Sequence, residues 1–343
     1  MAPHSDKPVK NASGRYDNVD FRKAAGYRYP PVKCSYNRRD VLLFVSSSSP
    51  SHIVSVTDNR PQANAIGIHA DERHFLYELH PNFAAFPTFP INLAFKTTDQ
   101  DVYDFIKKMV TGDVPGTPPF DAQRSVDGER GIEIVNPVPV SSEGLDLEIH
   151  NSVVGVYDKG GAMILEAEQE LVDARTGKVY VKMSSTAFGI GQGGYGGPRG
   201  PSKPTFRLPD RKPDAVYAFK TTPESALLYR LCGDYNPMHA DEEFGRRAGF
   251  KGSILQGLGT WNIAAHGVLR EFGASDPARF KAFGARFKNV VYPGDELETR
   301  MWKVGSEGGF DVIHFETVVK DDGRVALSNG YAKIKQAGTG SKL

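Results

Sequence analysis

The sequence predicts an α+β fold in which one long helix is embraced by a curved antiparallel sheet. Three observations predict it. Within LGTWNIAAHGVLREF, the residues Leu258, Trp261, Ala265, Val268, Leu269 and Phe272 recur on one helical stripe. Three strand-like stretches follow: ARFKNVVYPGDELETRMWKVG, FDVIHFETVVKD and VALSNGYAKIK, the last two joined through the turn Asp321 to Arg324. Upstream, Gly144 to Phe188 is rich in β-branched residues and is divided by the turn signals DKGG and DARTGK, the pattern of an antiparallel meander.

The chain has 343 residues, enough for two units of ordinary size. Its 42 Lys and Arg against 41 Asp and Glu leave a net charge of +1, so no overall field draws it to nucleic acid or an anionic membrane. No apolar run reaches the length of a bilayer span, and no nucleic-acid partner or membrane insertion is expected. Cys34 and Cys232 make no disulfide framework and MAPHSDKPVK lacks a signal-peptide core, which points to a reducing, intracellular compartment. The last three residues, Ser341, Lys342 and Leu343, form the address read by the peroxisomal import receptor.

In chain order, residues 1–30 are polar, basic and rich in Pro, Gly and Tyr, and read as an N-terminal arm. A first unit spans 31–188. RDVLLFV, from Arg39 to Val45, is a short helix candidate ended by Ser46 to Ser49 and Pro50. ERHFLYELHP reads as a strand followed by a proline-bearing loop, and FPTFPINLAFK fits either a short helix or a strand. Residues 189–213 are a Gly/Pro-rich linker or flap. Gly189, Gly191 and Gly194 there match G-x-G-x-x-G, but YGGPRGP admits no helix to receive a pyrophosphate, so no dinucleotide cofactor is expected.

A second unit spans 214–337, before a tail of 338–343. In it, Thr222, Pro223 and Glu224 signal a helix start, with Leu227, Leu228 and Leu231 on one face and Gly233 as terminator. Asp234 then emerges where the helix breaks, free to project into a cavity. Gly257 opens the long helix and Gly273 ends it.

The chemistry concentrates in YRLCGDYNPMHAD, where Asp234, Asn236 and His239 lie within six residues. A carboxylate that orients an imidazole can take a proton from water and return one to carbon. Alternatively, Asp and Asn cap the helix that starts at Asp241, and His239 is a loop histidine; spacing alone leaves both readings open. The cluster has neither EF-hand spacing nor the second histidine of a zinc helix, and no G-x-S-x-G elbow exists, so neither a metal nor a serine nucleophile is expected.

The phrase from Leu231 to His239, LCGDYNPMH, resembles the signature of type 2, R-specific enoyl-CoA hydratases and their MaoC-like dehydratase relatives. AGFKGSILQGLGT and ARFKNVVYPGDEL resemble the next two blocks of that family, and RRDVLLFV, YELHPNFAAFPTFP and GGYGG follow the order of its eukaryotic, two-domain members. The resemblance implies a double hot-dog, two units each with a long helix wrapped by an antiparallel sheet. It implies hydration of trans-2-enoyl-CoA to 3R-hydroxyacyl-CoA, or the reverse, in fatty-acid β-oxidation or a specialised acyl-CoA pathway. Asp234 and His239 would activate water and protonate the α-carbon, Asn236 would hold the water, and the Gly257 N–H would stabilise the thioester oxygen. A purely geometric role for Gly257 at the loop-to-helix junction is the lesser alternative. No separate cofactor is implied, since coenzyme A belongs to the acyl-CoA thioester substrate, and a homodimer is compatible with the family.

By the same comparison Asp40 to Val45 is a degenerate counterpart of the Glu224 to Leu231 helix. Ser46 to Ser49 stand where Asp and Asn would be, with His52 isolated, so the first unit would accommodate the acyl chain. The chain departs from the family where Pro-Ile-Leu-His-Gly becomes Ser253-Ile254-Leu255-Gln256-Gly257, which puts substrate choice in question. The competing functions are a hot-dog acyl-CoA thioesterase and a non-catalytic acyl-CoA binding protein.

Overall fold

The computed structural model describes residues 8–12, 16–45, 65–108, 113–121 and 124–337. Ser46 to Ser49, His52 and Ser341 to Leu343 lie outside the described residues. A two-stranded ribbon, β1 (Val9–Lys10) and β2 (Tyr16–Asp17), opens the chain. The first half then contains β3 (Val32–Lys33), α1 (Arg38–Val45), α2 (Arg73–Leu76), α3 (Leu93–Lys96), α4 (Phe105–Lys108), β4 (Ser125–Ile134), β5 (Leu147–Asp158), β6 (Ala162–Asp173) and β7 (Lys178–Ile190). The second half contains β8 (Ala215–Lys220), α5 (Ser225–Tyr229), α6 (Glu242–Arg247), α7 (Gly257–Gly273), β9 (Phe280–Phe287), β10 (Glu296–Glu307), β11 (Phe310–Val319) and β12 (Val325–Lys335).

Strands β3 to β12 form one ten-stranded antiparallel sheet in the order β3-β5-β6-β7-β4-β9-β12-β11-β10-β8. The five strands of each half follow the same internal order, and the halves join edge to edge where β4 meets β9, with Gly131 opposite Gly284. Both half-sheets of the double hot-dog are therefore present. Joining them removes an exposed edge from each half, where unpaired N–H and C=O groups would otherwise face water. Alternation assigns the two faces: Leu147 and Ile149 of β5 and Leu297 and Thr299 of β10 are buried, while Glu148, His150, Glu296, Glu298 and Arg300 beside them are not.

On the inner face, α7 crosses the sheet. It is not amphipathic, because every residue from Leu258 to Leu269 is buried. The sheet covers one side, and Phe75, Phe86 and Phe89 of the first half belong to the same continuous core as Trp261, Phe283 and Phe315. The helix includes Gly273 and is ended instead by Ala274 and Ser275, both left-handed at φ 51° and 57°.

Among the described residues the first half has no counterpart of α7. Pro87 and Pro90 interrupt its corresponding stretch, which forms a single 3₁₀ turn (Phe89–Asn92) and α3 before Thr97 turns the chain at φ 52°. The second long helix of that expectation is not found among the described residues.

Three local expectations are also revised. Glu72 to Pro81 contains α2 and turns instead of a strand, because Phe75 is drawn into the core and Glu72 is tied to α7. Leu227 and Leu231 face outward, at 46% and 40% exposure, and α5 buries Ala226 and Tyr229 instead. Residues 16–30 are packed, since Phe21, Ala24, Tyr27 and Tyr29 join Val153, Val156, Met163 and Tyr195 in a second small core.

The linker after β7 is pinned across the outer face of the sheet. The Asp158 carboxylate accepts the N–H groups of Gly160 (2.7 Å), Gly194 (2.9 Å) and Gly196 (2.8 Å). Lys203 pairs with Glu166 at 2.9 Å, and Phe206 stacks on His314 at 3.7 Å between centroids. Gly194 of the false nucleotide motif, with Gly196 just beyond it, thus donates to the protein's own carboxylate. Among the described residues no helix is long and apolar enough to cross a membrane.

Candidate active site

The helix α5 tightens into a 3₁₀ turn (Arg230–Cys232) and stops at Gly233, whose φ of +122° only glycine adopts readily. A Cβ there would lie 2.9 Å from the backbone nitrogen of Lys96, so the first half presses directly on the start of the loop. The Tyr103 hydroxyl donates to the Gly233 carbonyl at 2.7 Å, fixing the same point from the first half.

The next residue, Asp234, is buried. Its Oδ1 accepts the Asn236 N–H at 3.3 Å, and its Oδ2 lies 3.6 Å from His239 Nε2. That gap is longer than a hydrogen bond, so the two groups face one position without being spent on each other. Burial pushes the Asp234 carboxyl above its ordinary range, against the lowering effect of His239 and the Asn236 N–H.

His239 is oriented from behind. Its Nδ1 lies 2.8 Å from the Ile254 carbonyl. A carbonyl can only accept, so Nδ1 carries a proton and the ring turns Nε2 toward Asp234. Asn236 holds this arrangement in shape: its Oδ1 accepts the Met238 N–H at 3.1 Å and caps the 3₁₀ turn Pro237–His239. The cap on α6 is Asp241, which accepts from Glu243 and Phe244. Asp234 is therefore not consumed by capping that helix.

Gly257 stands at the first position of α7, exposed, where the helix has unsatisfied N–H groups and a positive end. A Cβ there would come within 3.2 Å of the Phe287 ring, so a side chain would crowd the approach. The two family departures flank it. The Ser253 hydroxyl donates to Glu242 at 2.8 Å, and Gln256 is fully buried with Nε2 donating to the Ala226 carbonyl at 3.2 Å. Both side chains point into the protein's own framework.

Residues 205–324 match the MaoC like domain, and residues 57–191 match the MFE-2 hydratase 2 N-terminal domain. The chain is 42% identical over 325 residues to "Probable dehydratase NIT22" of Ajellomyces capsulatus, covering 90% of this chain and 81% of the relative. The chain belongs to the MaoC-like dehydratase family. It is 33% identical to "Probable enoyl-CoA hydratase 2" of Dictyostelium discoideum, covering 94% of this chain and 99% of that one. It is 34% identical to "Peroxisomal multifunctional enzyme type 2" of Mus musculus, of which it spans 38%. Among solved structures, a MaoC-like dehydratase from Phytophthora Capsici superposes with a TM-score of 0.78 at 32% identity, covering 93% of this chain and 98% of that one.

Within this MaoC-like site, the side chains that sequence reasoning missed come from far along the chain. Tyr229 lies fully buried beneath the loop; its hydroxyl accepts from Asn262 at 2.8 Å and donates to Asn92 at 3.1 Å. Thr88 in turn donates to Asn262 at 2.5 Å. Deeper along α7, His266 Nε2 meets the buried Glu72 carboxylate at 2.8 Å and its Nδ1 meets the Tyr217 hydroxyl at 3.0 Å. A histidine within the apolar stripe of α7 was the one sequence signal for this second network.

Proposed function

We propose that this chain adds water reversibly across the double bond of trans-2-enoyl-CoA thioesters to give (3R)-3-hydroxyacyl-CoA. The observation that carries the reading is the convergence of Asp234 Oδ2 and His239 Nε2, with His239 Nδ1 committed to a backbone carbonyl. Between them the pair takes a proton from water as its oxygen bonds to C3 and delivers a proton to C2, so one water is consumed for each double bond. Negative charge passes through the thioester oxygen on the way, and in this reading the N–H of Gly257 meets it, a role that its position at the start of α7 supports. Asn236 shapes the turn and, through its amide, borders the water. Coenzyme A enters as part of the substrate, and the first half receives the acyl chain.

The experiment follows enoyl absorbance and free thiol together while the purified protein is incubated with crotonyl-CoA and longer trans-2-enoyl-CoAs. Loss of the alkene without thiol release is expected, and Asp234→Asn and His239→Ala should each lower the rate by ~10²-fold or more while the protein stays folded. Thiol release with the alkene intact would assign a thioesterase instead, and no signal at any chain length would favour a binding protein. The location proposed is the peroxisome, by way of the import receptor and Ser341 to Leu343. Deleting those three residues should leave activity intact and disperse a labelled protein into the cytosol, whereas unchanged import would overturn the role of this tail.

A further inference from the structure

The loop that carries Asp234 is touched on both sides of that residue by one side chain of the other half. Tyr103 lies between α3 and α4, 130 positions before Gly233. Its hydroxyl is 2.7 Å from the Gly233 carbonyl and 3.0 Å from the Phe95 carbonyl. A phenol has one proton and a carbonyl only accepts, so the nearer oxygen, that of Gly233, is its main acceptor. The ring of Tyr103 packs T-shaped with Tyr235, centroids 4.9 Å apart and planes at 81°. Gly233 and Tyr235 are the two chain neighbours of Asp234. Tyr103 thus grips the residue before the carboxylate and the residue after it.

The grip falls where the backbone is freest. Gly233 has no Cβ and sits at φ +122°, so the peptide that joins it to Asp234 could swing without an outside contact. That peptide is planar, and holding its oxygen also holds its N–H, which belongs to Asp234. Arg230 adds a second contact to Tyr235, its guanidinium 5.1 Å from the ring centroid. Tyr103 itself stands on an anchored stretch: the Lys96 ammonium donates to the Ser35 carbonyl at 3.1 Å and to the Asp99 carbonyl at 2.7 Å.

We propose that Tyr103 is a positioning residue of the hydration site, which aims the Asp234 carboxylate by holding the Gly233 carbonyl and the Tyr235 ring together. The inference rests on the reading of Asp234 and His239 as the reacting pair. The 3.6 Å between Asp234 Oδ2 and His239 Nε2 is too long for a hydrogen bond, so their mutual aim is set by what holds the backbone on either side. A carboxylate that drifts slows proton transfer without removing a contact to the bound thioester, so the effect of Tyr103 belongs in kcat and not in KM. A tyrosine that served only stability would leave kcat of the folded protein unchanged.

The experiment pairs crotonyl-CoA hydration kinetics of Tyr103→Phe, Tyr103→Leu and Tyr235→Leu with an NMR signal that needs no substrate. In protein labelled with ¹³C-carbonyl glycine and ¹⁵N-aspartate, the Gly–Asp pairs at 112–113, 233–234 and 294–295 give carbonyl–nitrogen correlations, and the one lost in Asp234→Asn belongs to Gly233. Tyr103→Phe keeps the ring and deletes the hydroxyl, so the Gly233 carbonyl signal should move upfield. In the same variant kcat should fall by ~10-fold with KM unchanged. Tyr103→Leu should lower kcat further, and Tyr235→Leu should slow the wild-type protein but add little to Tyr103→Leu, because the two rings act through one contact. Wild-type kcat or an unmoved Gly233 signal in Tyr103→Phe, a change in KM alone, or additive losses in the double variant would overturn the proposal. Should Tyr103→Leu fail to fold, Tyr103→Phe decides it. An absence of alkene loss in the wild-type protein would instead refute the hydratase reading, and the carbonyl signal would still report whether Tyr103 holds the loop.

Discussion

Replacing Glu72 by Gln tests whether the first half is fastened to α7 by a buried charge. Glu72 is 3% exposed and His266 fully buried. The carboxylate takes His266 Nε2 at 2.8 Å, Arg270 Nη1 at 3.2 Å, the His69 N–H at 2.7 Å and the Ser275 hydroxyl. Burial alone would push its pKa up, but the bonds from His266, Ser275 and His69 outweigh it and hold the value at about 2. Glutamine keeps the volume and one acceptor oxygen, but turns an NH₂ group toward neighbours that themselves donate. Breaking a buried pair from one side costs ~3–5 kcal/mol, and the retained acceptor places Glu72→Gln near ~3 kcal/mol, about two decades in the folding constant.

The assay is urea unfolding at neutral pH and at several acid pH values. The folded pKa of Glu72 lies below its ordinary 4.5, so its contribution is complete above about 4.5 and is lost as pH falls toward about 2. Wild-type protein should therefore lose stability across that window by more than the variant does. An unchanged urea midpoint at neutral pH, or equal acid slopes in the two proteins, would refute the reasoning.

Two further substitutions probe the framework of the site and of the linker. Gly233→Ala must hold alanine at φ +122° with its Cβ against the Lys96 backbone, costing ~1–3 kcal/mol. Because Asp234 follows directly, kcat should fall while the enzyme remains folded by circular dichroism, and wild-type kcat would show that the turn does not position the carboxylate. Asp158→Asn removes an anionic acceptor from the Gly160, Gly194 and Gly196 amides, so the exchange of those amides with deuterium should accelerate in a protein with unchanged global stability. Burial raises the Asp158 carboxyl but the glycine N–H groups hold it below its ordinary value, so the same clasp should also loosen in wild-type protein as pH falls through that lowered value. Unaltered protection at Gly194 and Gly196 would show that the linker is held by other contacts.

What was legible in the sequence is what is local. The candidate site residues fall within six positions and the strands of β5 to β7 and β9 to β12 carry their own alternation and turn signals, so both could be read before any contact was known. On α5 the same method failed. Leu227, Leu228 and Leu231 look like a core stripe, yet the core takes Tyr229, because its hydroxyl finds Asn92 and Asn262, residues 137 and 33 positions away. No periodicity encodes such partners. Glu72 is the same case. ERHF has strand-like composition, but the buried carboxylate needs His266, 194 positions on, and that contact decides where the segment lies. The site itself divides along this line, with Asp234, Asn236 and His239 visible and Tyr103, which donates to the Gly233 carbonyl, hidden in the other half.

That division bears on why the two halves are not separable. In a free-standing unit of helix and sheet, the side of α7 away from the sheet would face solvent and should be polar. Here that side carries Asn262 and His266, polar residues with no access to water, whose partners Thr88 and Glu72 belong to the first half. The segment from 65 to 96 thus occupies the place where solvent would stand, and Phe86, 6.1 Å from the His266 ring, seals it. Because this segment lacks a long helix of its own, it can lie flat on α7 and bring Lys96 and Tyr103 against Gly233. The first half therefore forms the back wall of the candidate site: it covers the helix that begins at Gly257 and presses the loop that carries Asp234.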